Sequence, residues 1–142
     1  MRSAPRERTK VFAYVTNRDR LLVFEHVDHP DAGVQVPAGT LERGESPREG
    51  VLREAFEETG LTGLRIVRFL GLTRVDFRPF GRNEIHNRWF FHLECPGNPA
   101  DRWVHWERNS ATDEGPFRFA FRWVPMASAG VDFGHDAMLH RL

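Results

Sequence analysis

Glu57 and Glu58 follow Glu54 at distances of three and four residues in the stretch REAFEETGL. On a helix those spacings gather side chains on one face. Carboxylates so placed repel one another and weaken a bare helix by roughly a few tenths of a kcal/mol per pair. A divalent cation reverses that cost, because hard ions such as Mg²⁺ take oxygen ligands. An ion held there could neutralise anionic oxygens and make a bound water more acidic. A solvated acidic helix face would carry the same residues. Against it stand Arg53 beside the acids and Glu45 shortly before them, which bring both signs of charge to one short region. Gly39 also permits a close backbone approach that a solvated surface does not need.

The helix that must carry these groups can be bounded from local chemistry. Ser46 suits the N-cap, with Glu49 three residues on completing a capping box. Pro47 occupies the first helical position, where its missing N–H costs nothing. Gly60 suits the left-handed residue that ends a helix. These signals predict a helix over Pro47–Thr59. Projected at 100° per residue, Leu52, Ala55, Phe56 and Thr59 fall on one side, expected to pack on a sheet, and the glutamates on the other.

Around the helix the chain reads mostly as strands: residues 9–16, 21–24, 64–70, 72–77, 87–95 and 117–125, with a hairpin turn at 17–20. Residues 26–34 read as a loop that leads into a short apolar piece, 34–37. The polar segment 96–115, which contains Trp103 and Trp106, carries either a short strand at 102–108 or a functional loop. Residues 132–142 are expected to form a short helix capped by Asp132. The order implies an α/β domain, a mixed sheet covered by helices, occupying residues 1–142 as one unit.

Composition removes several classes of function. The 142 residues hold 20 basic and 20 acidic side chains, so the chain lacks the basic excess that a long nucleic-acid duplex demands. Lys10 is the only lysine among many arginines, a bias compatible with phosphate recognition. Cys95 is the only cysteine, which excludes an internal disulfide and a thiolate metal cluster. The polar N-terminus has no signal-like apolar stretch and no segment is long enough to span a bilayer, so a cytoplasmic location is expected.

Residues 39–61, GTLERGESPREGVLREAFEETGL, resemble the signature box of the Nudix hydrolases, G-x5-E-x7-R-E-U-x-E-E-x-G-U, where U is a bulky aliphatic residue. The matching positions are Gly39, Glu45, Arg53, Glu54, Ala55, Glu57, Glu58, Gly60 and Leu61. Ala55 is the one soft departure, being smaller than usual. The segment WVPM at 123–126 is similar to those near the end of many members. The resemblance implies an α/β/α sandwich built on a mixed sheet. It also implies cleavage of a diphosphate linkage in a nucleoside diphosphate derivative by water, with Mg²⁺ or Mn²⁺. Carried over by position, Glu54, Glu57 and Glu58 with the Gly39 carbonyl would be the metal ligands. Arg53 would orient the glutamates and Glu45 would hold Arg53. Glu57 or Glu58 is favoured as the general base. Many members add an acid from a distant loop; Glu107 and Glu114 rank first here, ahead of Glu94 and Asp113.

Other signals point to structure. Phe117, Phe119, Phe121 and Trp123 alternate at strand period and read as core, as do Trp89, Phe91 and Leu93. Arg118 and Arg122 share the opposite face. His26 and His29, with Asp28 and Asp31, are too loosely spaced for a convincing metal site. Phe77, Phe80, Trp103 and Trp106 suit either base stacking or cover for the core. Two further functions fit the resemblance: a non-catalytic nucleotide-binding regulator, and a prenyl-diphosphate isomerase, for which Cys95 alone is thin support. Neither a small-molecule substrate nor a homodimer conflicts with the sequence. No subfamily marker identifies the substrate: Pro79 lies late for an ADP-ribose hydrolase, and the lone tyrosine, Tyr14, is misplaced for a dinucleoside polyphosphate hydrolase.

Overall fold

The computed structural model describes residues 3–107 and 116–142. Its centre is β1 (Arg6–Asn17), whose buried C-terminal run from Val11 to Asn17 contains apolar residues on both faces. A two-residue turn at Arg18 and Asp19 reverses the chain into β2 (Arg20–His26), with Asn17 paired to Arg20. β3 (Val34–Gln35) pairs with β2, and β4 (Ala38–Thr40) with β1. After α1 (Pro47–Thr59) come β5 (Arg65–Asp76), β6 (Glu84–Glu94), β7 (Arg102–Glu107) and β8 (Phe117–Pro125). The strands form one sheet in the order β5-β6-β1-β2-β8-β7. β1 and β6 run parallel in register from Arg6↔Glu84 to Thr16↔Glu94, and the other pairings are antiparallel. The sheet is therefore mixed, as expected. Among the described residues no helix is long and apolar enough to cross a membrane.

The α1 boundaries match the cap chemistry. Ser46 Oγ accepts the Glu49 N–H at 3.2 Å and donates to the Glu49 carboxylate at 2.9 Å. Gly60 is left-handed, with φ 75°, and its N–H closes on the Phe56 carbonyl at 2.8 Å. The helix is turned differently from the apolar projection. Val51, Ala55, Glu58 and Thr59 are buried, while Leu52 and Phe56 lie at 36% and 52% exposure. Small residues and Glu58, not the largest apolar ones, face the sheet. The reason lies in the neighbours: β4 offers the Ala38 N–H to Glu58 at 2.7 Å, and Arg53 draws the other acids toward the 39–45 segment.

One face of the sheet packs against α1 through a core that includes Val11, Val15, Leu22, Phe91, Leu93, Phe121 and Trp123. The other face packs Phe12, Tyr14, Val23 and Phe90 against Val131 and Met138. The outer layer there is not the helix expected at 132–142 but a series of turns ending in a 3₁₀ helix, Leu139–Arg141. Groups that a helix would use are bonded to the sheet instead. Asp132 Oδ2 accepts the Val34 N–H at 2.9 Å, and the Tyr14 hydroxyl donates to the His135 carbonyl at 2.6 Å while accepting the Met138 N–H at 3.1 Å. Residues 64–70 and 72–77 prove to be one strand, β5, interrupted by irregularities between Ile66 and Arg68 and between Phe69 and Gly71. The segment after Pro96 does carry a strand, β7.

Candidate active site

The C-terminal half of α1 lies against β4 on one side and β7 on the other. Gly39 in β4 stands so close to the helix that a Cβ there would fall 2.0 Å from Glu54 Cδ. Only glycine leaves room for the carboxylate. The β7 side is fixed by two hydrogen bonds to the last turn of the helix. Trp103 Nε1 donates to the Thr59 carbonyl at 2.9 Å, and His105 Nε2 meets the Glu57 carbonyl at 3.0 Å. These two residues carry the free carbonyls at a helix end. Sequence reasoning gave His105 no role, since a lone histidine in an alternating strand carries no signal of its own. Trp103 stacks on Phe121 and so covers the core.

Arg53 organises the acids. Its Nε and Nη2 donate to the two oxygens of Glu45 at 2.6 and 2.9 Å, a bidentate pair. Nη1 donates to Glu54 at 2.9 Å and to Glu57 at 3.0 Å, and Nη2 reaches the Thr40 carbonyl at 3.2 Å. Glu45 is itself positioned by accepting the Glu42 N–H at 3.1 Å. The Arg53 hydrogen bonds hold the Glu45 carboxyl below the ordinary carboxylate range. The resemblance implied that pairing; the reach of Arg53 to the Thr40 carbonyl had no signal in the sequence.

The remaining carboxyls move the other way. Burial pushes Glu54 up to about 7 against the downward pull of Arg53. Glu58, 6% exposed, is raised well above its ordinary range by burial and then by the charge of Glu107. Glu107, at the end of β7, is raised by burial and by Glu57. The structure thus brings Glu45, Arg53, Glu54, Glu57, Glu58 and Glu107 into one group beside Gly39. Glu114 and Asp113 lie outside the described residues. Glu94 is elsewhere, exposed on β6 and paired with Arg65 at 2.8 Å. Among the described residues no three carboxylate, imidazole or thiol groups stand close enough to enclose an ion as they are arranged. Arg53 Nη1 is instead the positive charge between Glu54 and Glu57.

Glu58 also lines a cavity of about 240 Å³, together with Gly39, Lys10, Phe12, Arg88 and His135 among others. Nothing in the sequence placed Lys10, Arg88 or His135 in the site. Other residues weighed there lie apart from this group. Arg118 pairs with Asp28 and Arg122 with Glu25. His26 packs edge-on against His29 and Phe117. Cys95 is buried in the core, where burial raises its thiol.

The sheet, the helix and the braced acids define a member of the Nudix family, and a sequence profile of the NUDIX domain matches residues 6–142. The chain belongs to that family. Over 51 residues it is 41% identical to an RNA pyrophosphohydrolase of Cereibacter sphaeroides, a match covering 35% of this chain and 32% of that protein. The matched segment thus spans about a third of that relative's length. Among solved structures, a NUDIX hydrolase from Nitrosomonas europaea superposes with a TM-score of 0.60 at 24% identity, covering 86% of this chain and 74% of the other. A MutT NUDIX hydrolase from Burkholderia pseudomallei does so with a TM-score of 0.63 at 17% identity, covering 96% and 98%. At those identities the likeness establishes the fold.

Proposed function

We propose that this chain is a Mg²⁺- or Mn²⁺-dependent hydrolase that cleaves a diphosphate linkage in a nucleoside diphosphate derivative by attack of water at phosphorus. The observation that carries this is the gathering of buried Glu58, which lines a cavity, with half-buried Glu54 and Glu107, and burial pushes Glu54 and Glu58 above the ordinary range. Like charges buried together are costly, and a divalent cation with oxygen preference offsets that cost. In its chemistry, oxygens only, the donor set fits such an ion, for which the carboxylates would have to draw closer together. Glu54, Glu57, Glu58 and the Gly39 carbonyl would hold it, with Glu107 as a further acid. When bound, the ion neutralises phosphate oxygens and makes the attacking water more acidic.

The chain's own residues divide the rest of the work. Arg53, held by Glu45, fixes the carboxylates of Glu54 and Glu57. Gly39 lets Glu54 approach the backbone. Glu58, which lines the cavity, and Glu57 beside it are the candidates for accepting the proton of the water. Its oxygen forms the new bond to phosphorus as the bridging P–O bond breaks, and the bridging oxygen leaves on the departing phosphate. The substrate is a small anionic molecule, and the chain works as one domain in the cytoplasm. The name of the Cereibacter relative supports the same class of reaction. A buried Cys95 with a raised thiol gives an isomerase no poised acid.

The test is a screen of nucleoside triphosphates, nucleotide sugars, ADP-ribose and dinucleotides with Mg²⁺ and Mn²⁺. Phosphate-bond cleavage is expected, and Glu57→Gln or Glu58→Gln should lower kcat at least about a hundredfold. Tight binding of nucleotides without turnover would mean a regulator instead. Near-normal turnover in either variant would remove that glutamate from the proton transfer.

A further inference from the structure

The parallel register of β1 and β6 sets Lys10 opposite Arg88, beside the pairs Arg8↔His86 and Phe12↔Phe90. Side chains opposite one another in a sheet share a face, so basic groups from two strands collect at one end of the cavity that Glu58 also lines. Their donors are poorly used. Lys10 Nζ donates to Thr40 Oγ1 at 2.6 Å and, among the described residues, makes no ion pair. Arg88 likewise makes none there; its guanidinium lies over the Phe12 ring, 5.4 Å from the centroid, and its buried Nε has no hydrogen-bond partner. The buried Nε2 of His86 also makes no hydrogen bond, with Glu84 Oε1 3.6 Å away. Unpaired buried polar groups cost stability, and they mark a place where a ligand completes the bonding.

His135 adds a neutral donor. Its Nδ1 accepts the Val36 N–H at 3.1 Å, so the proton of the neutral ring sits on Nε2. Burial keeps that ring neutral, with its pKa pushed down to about 4. The cavity, about 240 Å³, has room for a phosphate group with its waters. A terminal phosphate carries up to two negative charges and a phosphate bridged on both sides only one, so two cations match the terminal group better.

We infer that Lys10 and Arg88 form a subsite for the free terminal phosphate of the substrate, so that the enzyme selects polyphosphates with an uncapped end over diphosphates capped on both sides. The inference rests on the hydrolase reading for the word substrate, though the anion subsite itself does not. Nucleoside triphosphates, or another chain ending in a free phosphate, would lie with that end against Lys10 and Arg88 and the linkage to be cut beside Glu58. ADP-ribose and nucleotide sugars would present only singly charged, bridged phosphates to the two cations.

Two measurements test this on the full-length chain. In the first, inorganic triphosphate is titrated calorimetrically, without divalent metal, into the unaltered protein, Arg88→Gln and Lys10→Gln, each first shown by its melting curve to be folded. Binding weakened at least about tenfold in either folded variant is expected. Equal affinity in all three proteins, or no binding to any, overturns the subsite. The second compares turnover of a nucleoside triphosphate with that of ADP-ribose in the presence of Mg²⁺. The unaltered enzyme should prefer the triphosphate, and the ratio of the two kcat/KM values should fall at least about tenfold in Arg88→Gln. A preference for ADP-ribose, or an unchanged ratio, contradicts the selectivity. If neither compound is cleaved but triphosphate binding depends on Arg88, the hydrolase reading fails and the subsite stands. Cleavage with no dependence on Arg88 or Lys10 has the reverse meaning.

Discussion

Replacing Gly39 by alanine probes the site with a single methyl group. The new Cβ would lie 2.0 Å from Glu54 Cδ and 2.2 and 2.4 Å from its two oxygens. Ordinary contact begins near 3.5 Å, so the carboxylate must retreat by about 1.5 Å. It cannot do so freely, because Glu54 Oε1 accepts from Arg53 Nη1 at 2.9 Å and the side chain is only 13% exposed. The movement stretches that hydrogen bond past its useful range and displaces Glu54 from the other acids. Overpacking of this kind destabilises by about 1–3 kcal/mol. The functional cost should be larger in proportion, since a shift of about 1 Å in a positioned group can lower a rate roughly a hundredfold. The assay is kcat/KM on the best substrate from the screen, alongside melting curves. Gly130→Ala is the control, as nothing lies within 4 Å of its added Cβ. The expected outcome is a loss of about a hundredfold in Gly39→Ala, with a folded protein and an unaffected control. Full activity in Gly39→Ala would refute the reasoning, as would a loss fully explained by unfolding.

Arg53→Lys keeps the charge but cannot reproduce the paired bonds to Glu45 or the shared donor to Glu54 and Glu57. Turnover should fall about ten- to a hundredfold and the Mg²⁺ concentration for half-activity should rise; a titration that overlays the unaltered protein would contradict the brace. The raised carboxyls make a prediction about pH. A group whose pKa is higher folded than unfolded binds protons more tightly in the native state. Without metal, stability should therefore decline as pH rises from about 4.5 through about 7, the window set by Glu54, and further where Glu58 ionises. Melting in a chelator across that range should show the decline, with Mg²⁺ removing most of it and Glu58→Gln reducing it; a flat profile would show that these carboxyls are not desolvated.

The parts of this site that local chemistry controls were legible in the sequence. Ser46, Pro47, Glu49 and Gly60 fixed the ends of α1, since caps depend on residues only a few positions apart. Charge and spacing showed only that acids and Arg53 converge on one short region; the resemblance implied the salt bridge of Glu45 to Arg53. The face of α1 was not legible, because projecting hydropathy onto a helix assumes that the apolar side is the buried one. Here the bond from the Ala38 N–H to Glu58 and the small residues Val51 and Ala55 decide the rotation, and Leu52 and Phe56 remain largely outside. The terminal segment escaped prediction for a similar reason: Tyr14 takes its backbone groups from far along the chain. Lys10 stands out in the sequence only as the sole lysine, and Arg88 not at all, and nothing local relates the two. They meet through the parallel pairing of β1 with β6, which no local pattern announces.

The proposed hydrolysis requires that Glu54, Glu57 and Glu58 take up a divalent ion. Mn²⁺ titration followed by electron paramagnetic resonance tests this without any substrate. Saturable binding that Mg²⁺ displaces, weakened at least about tenfold in Glu58→Gln and in Glu54→Gln, is the expected result. Equal Mn²⁺ uptake by these variants, or full hydrolysis in the presence of excess chelator, would contradict it.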